Sequence, residues 1–121
     1  MTEITAEAYS RNLALYEKLV ATQPGMTRKG ATVPYTSLNG NMTSYLAKSG
    51  ELALRLPEGP REAFLKNYRT KLCEQYGMVQ KEYVMVPEAL LRKTQELKPF
   101  FALSVAYGKS LKPKPAKKGK G

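Results

Sequence analysis

The chain has no histidine and no tryptophan among its 121 residues. It has no aspartate either, so all ten acids are glutamates. Histidine is the usual general base at neutral pH and the commonest metal ligand. Its absence excludes Ser-His-Asp and Cys-His catalysis. A single cysteine, Cys73, excludes an internal disulfide and cannot build a Cys/His zinc site. Mg²⁺-dependent phosphoryl transfer leans on aspartate, and none is present. Gly25 and Gly30 stand alone, so neither a Walker A loop nor a dinucleotide fingerprint can be written. No apolar run approaches the ~20 residues that span a bilayer. The opening Met1-Thr-Glu-Ile-Thr lacks the basic and apolar regions of a signal peptide. These absences predict a non-enzymatic, cytoplasmic protein of the bacterial type with no cofactor, no metal and no membrane association.

What is present is mostly base. The formal charge is +10, but it is unevenly placed. Six lysines (Lys109, Lys112, Lys114, Lys117, Lys118, Lys120) and no acid lie between Lys109 and the end of the sequence. The 108 residues before them carry fourteen bases and ten acids, a net of +4. Lysine alternating with proline buries nothing and forms no helix. The sequence therefore divides into one domain over 1–111 and a disordered Lys/Pro-rich tail over 112–121.

The clearest patterning is at 35–57. Leu52, Leu54 and Leu56 alternate with Glu51, Ala53 and Arg55, as in a strand with one buried face. Asn39-Gly40 supplies the positive φ angles of a tight hairpin, and Ser49-Gly50 marks a second turn. Three strands follow, over 31–38, 41–47 and 51–56. Pro34 makes the first an edge strand, or sits at a bulge or on the unpaired side. In the second, Met42, Ser44 and Leu46 alternate against Thr43, Tyr45 and Ala47.

Helices flank this meander. Tyr9, Leu13, Tyr16 and Val20 recur at helical spacing over 5–22; Thr5 is placed as the N-cap and Pro24-Gly25 as the stop. The two tyrosines are expected to pack. Pro60 opens a short second helix at its first position. Strands over 72–76 and 80–86 come next, then a helical turn over 88–93. The final helix is capped by Thr94 and tolerates Pro99 only in its first turn. Its stripe of Phe100, Leu103, Tyr107 and Leu111, flanked by Phe101 and Val105, should dock on the sheet. The predicted fold is α+β: a two-layer, five-stranded antiparallel sheet with helices packed on one face, in the order α-β-β-β-α-β-β-α.

Four pieces of this order resemble a known family. They are Thr36-Ser-Leu-Asn-Gly-Asn-Met42, Leu52-Ala-Leu-Arg-Leu-Pro57, Lys81-Glu-Tyr-Val-Met-Val-Pro87, and Phe100 through Tyr107 into Ser110-Leu-Lys-Pro-Lys-Pro115. Together they resemble the N-terminal domain of the TfoX/Sxy competence regulators, over about 31–115. The chain departs from the family at Thr43, where phenylalanine often follows the methionine. It is read as a stand-alone domain, without the second, C-terminal domain of the founding members. The resemblance implies the same α+β fold and a role in transcription regulation, alongside the cyclic-AMP receptor protein in those regulators. It carries over no catalytic residue.

Three functions follow from these readings. The first is a regulatory or adaptor domain that binds a protein partner in the transcription machinery. The second is nonspecific nucleic-acid binding through the six tail lysines, which would fall steeply with salt. The Arg28-Lys29 pair is read as a solvated loop. The third is a small-molecule site on the open sheet face around Tyr35, Tyr45 and Tyr83, for which cross-strand packing is the simpler reading. Cys73 has no histidine to activate it and reads as a small buried hydrophobe. The edge over 31–38 raises homodimerisation by strand pairing, which Pro34 opposes; monomer and homodimer both remain open.

Overall fold

A computed structural model describes residues 5–30, 33–38, 40–75 and 77–111. The tail at 112–121, with Lys112, Lys114, Lys117, Lys118 and Lys120, lies outside the described residues. Nine elements follow in order: α1 (Ala6–Val20), β1 (Tyr35–Leu38), β2 (Asn41–Leu46), β3 (Leu52–Arg55), α2 (Glu58–Asn67), β4 (Leu72–Gln75), β5 (Met78–Val86), α3 (Glu88–Leu91) and α4 (Thr94–Ser110). The class is α+β, with four helices and one five-stranded antiparallel sheet in the order β1-β2-β3-β5-β4.

The helices share one face of the sheet. Leu52, Leu54 and Leu56 point into the core there, with Leu46 of β2 and Val84 and Val86 of β5. Tyr16, Leu19 and Val20 of α1, Phe64 of α2, Leu90 and Leu91 of α3, and Leu97, Phe101 and Val105 of α4 close over them. Thr5 caps α1 as the sequence predicts, its Oγ1 accepting from Ala8 N at 3.0 Å. The hairpins also fall where the turn residues place them. Leu38 pairs with Asn41 across Gly40, whose φ is +81°.

The structure corrects several local expectations. The alternation in β2 breaks at a bulge: Thr36 pairs with Ser44, and the next pair is Ser37 with Met42. Thr43 is the extra residue, so Thr43 and Ser44 both turn inward against Thr36, and Met42 moves to the opposite face with Tyr45. Such a bulge adds one residue to one strand and reverses the side-chain phase beyond it. The bulge gathers hydroxyls in the core. Tyr16 OH and Ser44 Oγ lie 2.6 Å apart, Thr36 Oγ1 and Thr43 Oγ1 2.7 Å apart, and Ser104 Oγ donates to Thr43 O at 2.8 Å.

In α4 the flanking Phe101 and Val105 are buried as expected, but the centre of the stripe is displaced by one residue. Leu97, Phe101, Ser104, Val105 and Gly108 face the sheet. Phe100 packs edge-on against Phe64 of α2 with ring centroids 5.0 Å apart, and Leu103 is 38% exposed. Small residues decide this: Ser104 and Gly108 let the helix backbone approach β2. Thr94 is the first residue of α4 and not its cap; Lys93 holds that position without a side-chain bond. Pro99 therefore lies past the first turn, inside the helix. Likewise α2 begins at Glu58, so Pro60 is its third residue.

The proposed edge-to-edge surface over 31–38 is also altered. Ala31 and Thr32 lie outside the described residues. At Tyr35, where β1 begins, the outer edge is taken by the chain itself. Lys29 N donates to Tyr35 O at 2.7 Å, and Tyr35 N donates to Lys29 O at 2.9 Å. Among the described residues, no helix is long and apolar enough to cross a membrane.

Candidate functional site

The groups nominated from sequence are dispersed. Lys109 sits exposed in the last turn of α4. Arg28 is engaged with Glu17, Nε to Oε2 at 2.7 Å, and donates to Gly30 O. The three tyrosines do share the helix-free face of the sheet, where Tyr45, Ala53 and Cys73 are buried beneath partly covered Tyr35, Met42 and Tyr83. The hydroxyls of Tyr45 and Tyr83 are occupied. Tyr45 OH donates to Gln80 Oε1, and Tyr83 OH donates to Met42 O at 2.9 Å. The Tyr45 and Tyr83 rings pack 5.7 Å apart and tilted. This face is a second small core of cross-strand pairs. Cys73 is part of it. Burial pushes its thiol up to about 11, although a hydrogen bond with Tyr45 pulls the other way, which makes it a poor nucleophile.

At one end of this face a charged cluster ties three strands to α4. Arg55 Nε meets Glu82 Oε1 at 2.7 Å, and its NH1 donates to Met42 O at 3.2 Å. The guanidinium lies 5.7 Å from the ring centroids of both Tyr83 and Tyr107, and Tyr107 OH donates to Glu82 Oε2 at 2.7 Å. Burial raises the Glu82 carboxyl pKa, but the bonds from Tyr107 and Arg55 outweigh it and the net shift is downward. Every group is partnered, so the cluster acts as a clamp.

Two features remain unsatisfied, and neither was signalled by a motif. The first is the tip of the β4–β5 hairpin. Met78 is 70% exposed and Val79 53%. Gly77, with φ +76°, makes the turn that sets Met78 directly after it. A strand exists there because Met78 pairs with Gln75 and Val79 with Glu74, yet no helix reaches far enough to cover it. Exposed Lys81 lies two residues beyond Val79 on β5, and exposed Glu74 pairs with Val79 across the hairpin. As consecutive strand residues, Met78 and Val79 project to opposite faces of the tip, leaving one large apolar side chain uncovered on each.

The second is a cavity of about 330 Å³ at the other end of the sheet, between α1, the β2–β3 turn and the β5–α3 junction. Its apolar wall includes Ala8, Met85, Val86 and Leu91, and its polar wall is Asn12, Ser49, Glu51 and Glu88. None of the described residues lining it is basic. Asn12 is 3% exposed; its Nδ2 donates to Gly50 O at 2.9 Å, and its Oδ1 is buried with no partner. An unpaired buried acceptor costs about 1–3 kcal/mol. A sequence signal did exist. Asn12 lies three residues after Tyr9 and four before Tyr16, a polar residue inside the apolar stripe of α1.

Among the described residues, no group of three or more His, Cys, Asp or Glu could hold a metal ion. No family model matches the chain, and no curated protein and no solved structure matches it. The likeness to TfoX/Sxy rests on the four ordered motifs alone.

Proposed function

We propose that this protein is a small, non-catalytic regulatory or adaptor domain of the cytoplasm that binds a protein partner in transcription control, as its resemblance to the TfoX/Sxy N-terminal domain implies. The observation that supports binding is the hairpin tip, where Met78 and Val79 stand exposed on paired strand. Burying two such side chains contributes ~3–5 kcal/mol at best, enough to anchor a contact.

The test uses the full chain and a Met78→Ser/Val79→Ser variant as baits in the native cell, with transcript profiles of a deletion strain and of each allele. The expected result is a partner held by the wild type and lost by the variant, with the variant reproducing the deletion profile. An unchanged profile on deletion, or equal recovery on both baits, contradicts the proposal.

The second reading is nonspecific nucleic-acid binding through Lys109, Lys112, Lys114, Lys117, Lys118 and Lys120. The charge supports it: these six lysines carry more than half of the net +10. A mobility shift with the full chain and with a chain ending at Leu111 decides it. Binding by the full chain alone, falling steeply with salt, is the expected signature.

A further inference from the structure

We infer that the outer edge of β4 is a self-association surface, on which a second copy of this chain pairs antiparallel about Cys73. This inference is independent of the adaptor reading, which uses the side chains of Met78 and Val79. The two ends of the sheet differ. At the β1 end the chain's own Lys29 takes both backbone groups of Tyr35. At the β4 end, among the described residues, β5 is the one element packed closely on the strand, and no backbone bond reaches its outer side. The ladder fixes which groups point outward. Gln75 and Met78 close the hairpin turn. Such a closing pair exchanges both of its bonds, so the next residue, Glu74, turns its N–H and C=O away from β5. At the other end Met85 N donates to Lys71 O at 2.9 Å, so position 71 faces β5 and Leu72 faces out. Leu72 and Glu74 therefore present their donors and acceptors along one edge, with Cys73 between them.

A second copy matches this edge. A two-fold axis normal to the sheet pairs the strands antiparallel and keeps the helices of both copies on one face. Side chains then stay on matching faces only when the register is centred on a residue. Centred on Cys73, Leu72 of each copy exchanges both bonds with Glu74 of the other, and every outward group is used. Centred on Glu74, two carboxylates would stand opposite each other, which is unfavourable. Centred on Leu72, Glu74 would meet Thr70, which lies outside β4 and directly after Arg69 in the left-handed region at φ +52°. The Cys73 register also joins the helix layers. It continues the row of Val79 and Glu74 into Leu72 and Val84 of the second copy. Leu72 packs against the main core and Val84 is buried in it, so the row that begins at uncovered Val79 ends under the second copy's helices. The contact is one short strand on each side, which places it among weak, reversible associations.

The test is sedimentation equilibrium of the purified full chain from about 10 µM to about 1 mM, the range of weak complexes. The expected result is a monomer–dimer equilibrium that does not weaken in high salt, because the net charge of +10 drives the copies apart and salt screens that repulsion. Glu74→Pro removes an outward N–H and no bond to β5, and should weaken the dimer about tenfold or more. Glu74→Ala keeps that N–H and should dimerise like the wild type. A mixture of ¹³C-labelled and unlabelled chains should show an intermolecular NMR contact between the α-protons of Cys73, since residues paired at a non-hydrogen-bonded position hold their Cα atoms about 4.5 Å apart. That contact decides the question if Glu74→Pro does not fold. A chain that stays monomeric to about 1 mM, a dimer that Glu74→Pro leaves intact, or contacts that map to another surface would overturn the inference. The first of these results would leave the edge to a strand from a different protein.

Discussion

Replacing Gly108 by alanine should destabilise the protein, although helix propensity alone predicts the reverse. In an open helix that change is worth about 1 kcal/mol in favour of alanine. In α4 a Cβ at position 108 would stand 2.5 Å from Thr43 Cγ2 and 3.5 Å from the Leu38 side chain. The Thr43 methyl cannot swing aside freely. Its Oγ1 lies 2.7 Å from Thr36 Oγ1 and donates to Thr36 O at 3.3 Å, and Ser104 Oγ holds the Thr43 carbonyl. Either α4 lifts from the sheet or the hydroxyl network breaks. Overpacking costs about 1–3 kcal/mol, and a 2.5 Å contact with a pinned methyl belongs to the upper half of that range, so the net expectation is a loss of about 1–2 kcal/mol. Urea unfolding should show it as a lower midpoint at unchanged slope, and thermal melting as a fall of about 3–8 °C. Thr43→Ser removes the offending methyl and keeps the hydroxyl. In that background Gly108→Ala should be neutral or stabilising, a coupling of about 1–2 kcal/mol. Stabilisation of the wild type by Gly108→Ala, or an equal cost in both backgrounds, would refute the close-packing argument.

Three further outcomes are expected. Burial pushes the Tyr16 hydroxyl up to about 12 from 10.0. A raised folded value means stability that is complete below pH 10 and is lost as the pH rises towards 12, about 2–3 kcal/mol in all. Tyr16→Phe should therefore cost about 1 kcal/mol at neutral pH and show a shallower alkaline decline in pH-dependent urea melts. Glu82 behaves oppositely: its lowered value contributes stability above its ordinary 4.5 that is lost as the pH falls through the folded value. Arg55→Met should destabilise at pH 7, and the gap from wild type should narrow as the pH drops below 4.5. Cys73 in the native chain should react with a thiol reagent at pH 8 about a hundredfold more slowly than in urea, since burial suppresses the thiolate.

Much of the architecture could be read from residue order because hydrophobic period and turn chemistry agree there. Leu52, Leu54 and Leu56 identify both a strand and its buried face, and Gly40 and Gly50 adopt the positive φ their turns require. Two of the errors share one cause. Hydrophobic periodicity reads large apolar residues and overlooks small ones, yet Ser104 and Gly108 determine which side of α4 meets the sheet. The bulge at Thr43 was hidden in the same way, because it is stabilised by hydroxyl pairing with Thr36 and Ser44 that no alternation records. Thr94 was expected as a cap by residue type, but the chain enters α4 one residue earlier and leaves Thr94 Oγ1 buried without a partner. The candidate site was less legible still. Met78 and Val79 resemble any strand residues, and only the limited reach of the helices exposes them. The cavity draws on α1, β5, α3 and the β2–β3 turn, and nothing in linear order brings Asn12 to Gly50.

The central claim is that the protein works by holding a partner on the β4–β5 tip. The most direct measurement is the affinity of the captured partner for the purified full chain at about 0.05 M and about 0.5 M salt, where screening lengths differ roughly threefold. The account predicts an affinity that changes by less than about tenfold across that range and is abolished by Met78→Ser/Val79→Ser. An affinity that collapses with salt and is indifferent to those two residues would contradict it and assign the interaction to the lysines instead.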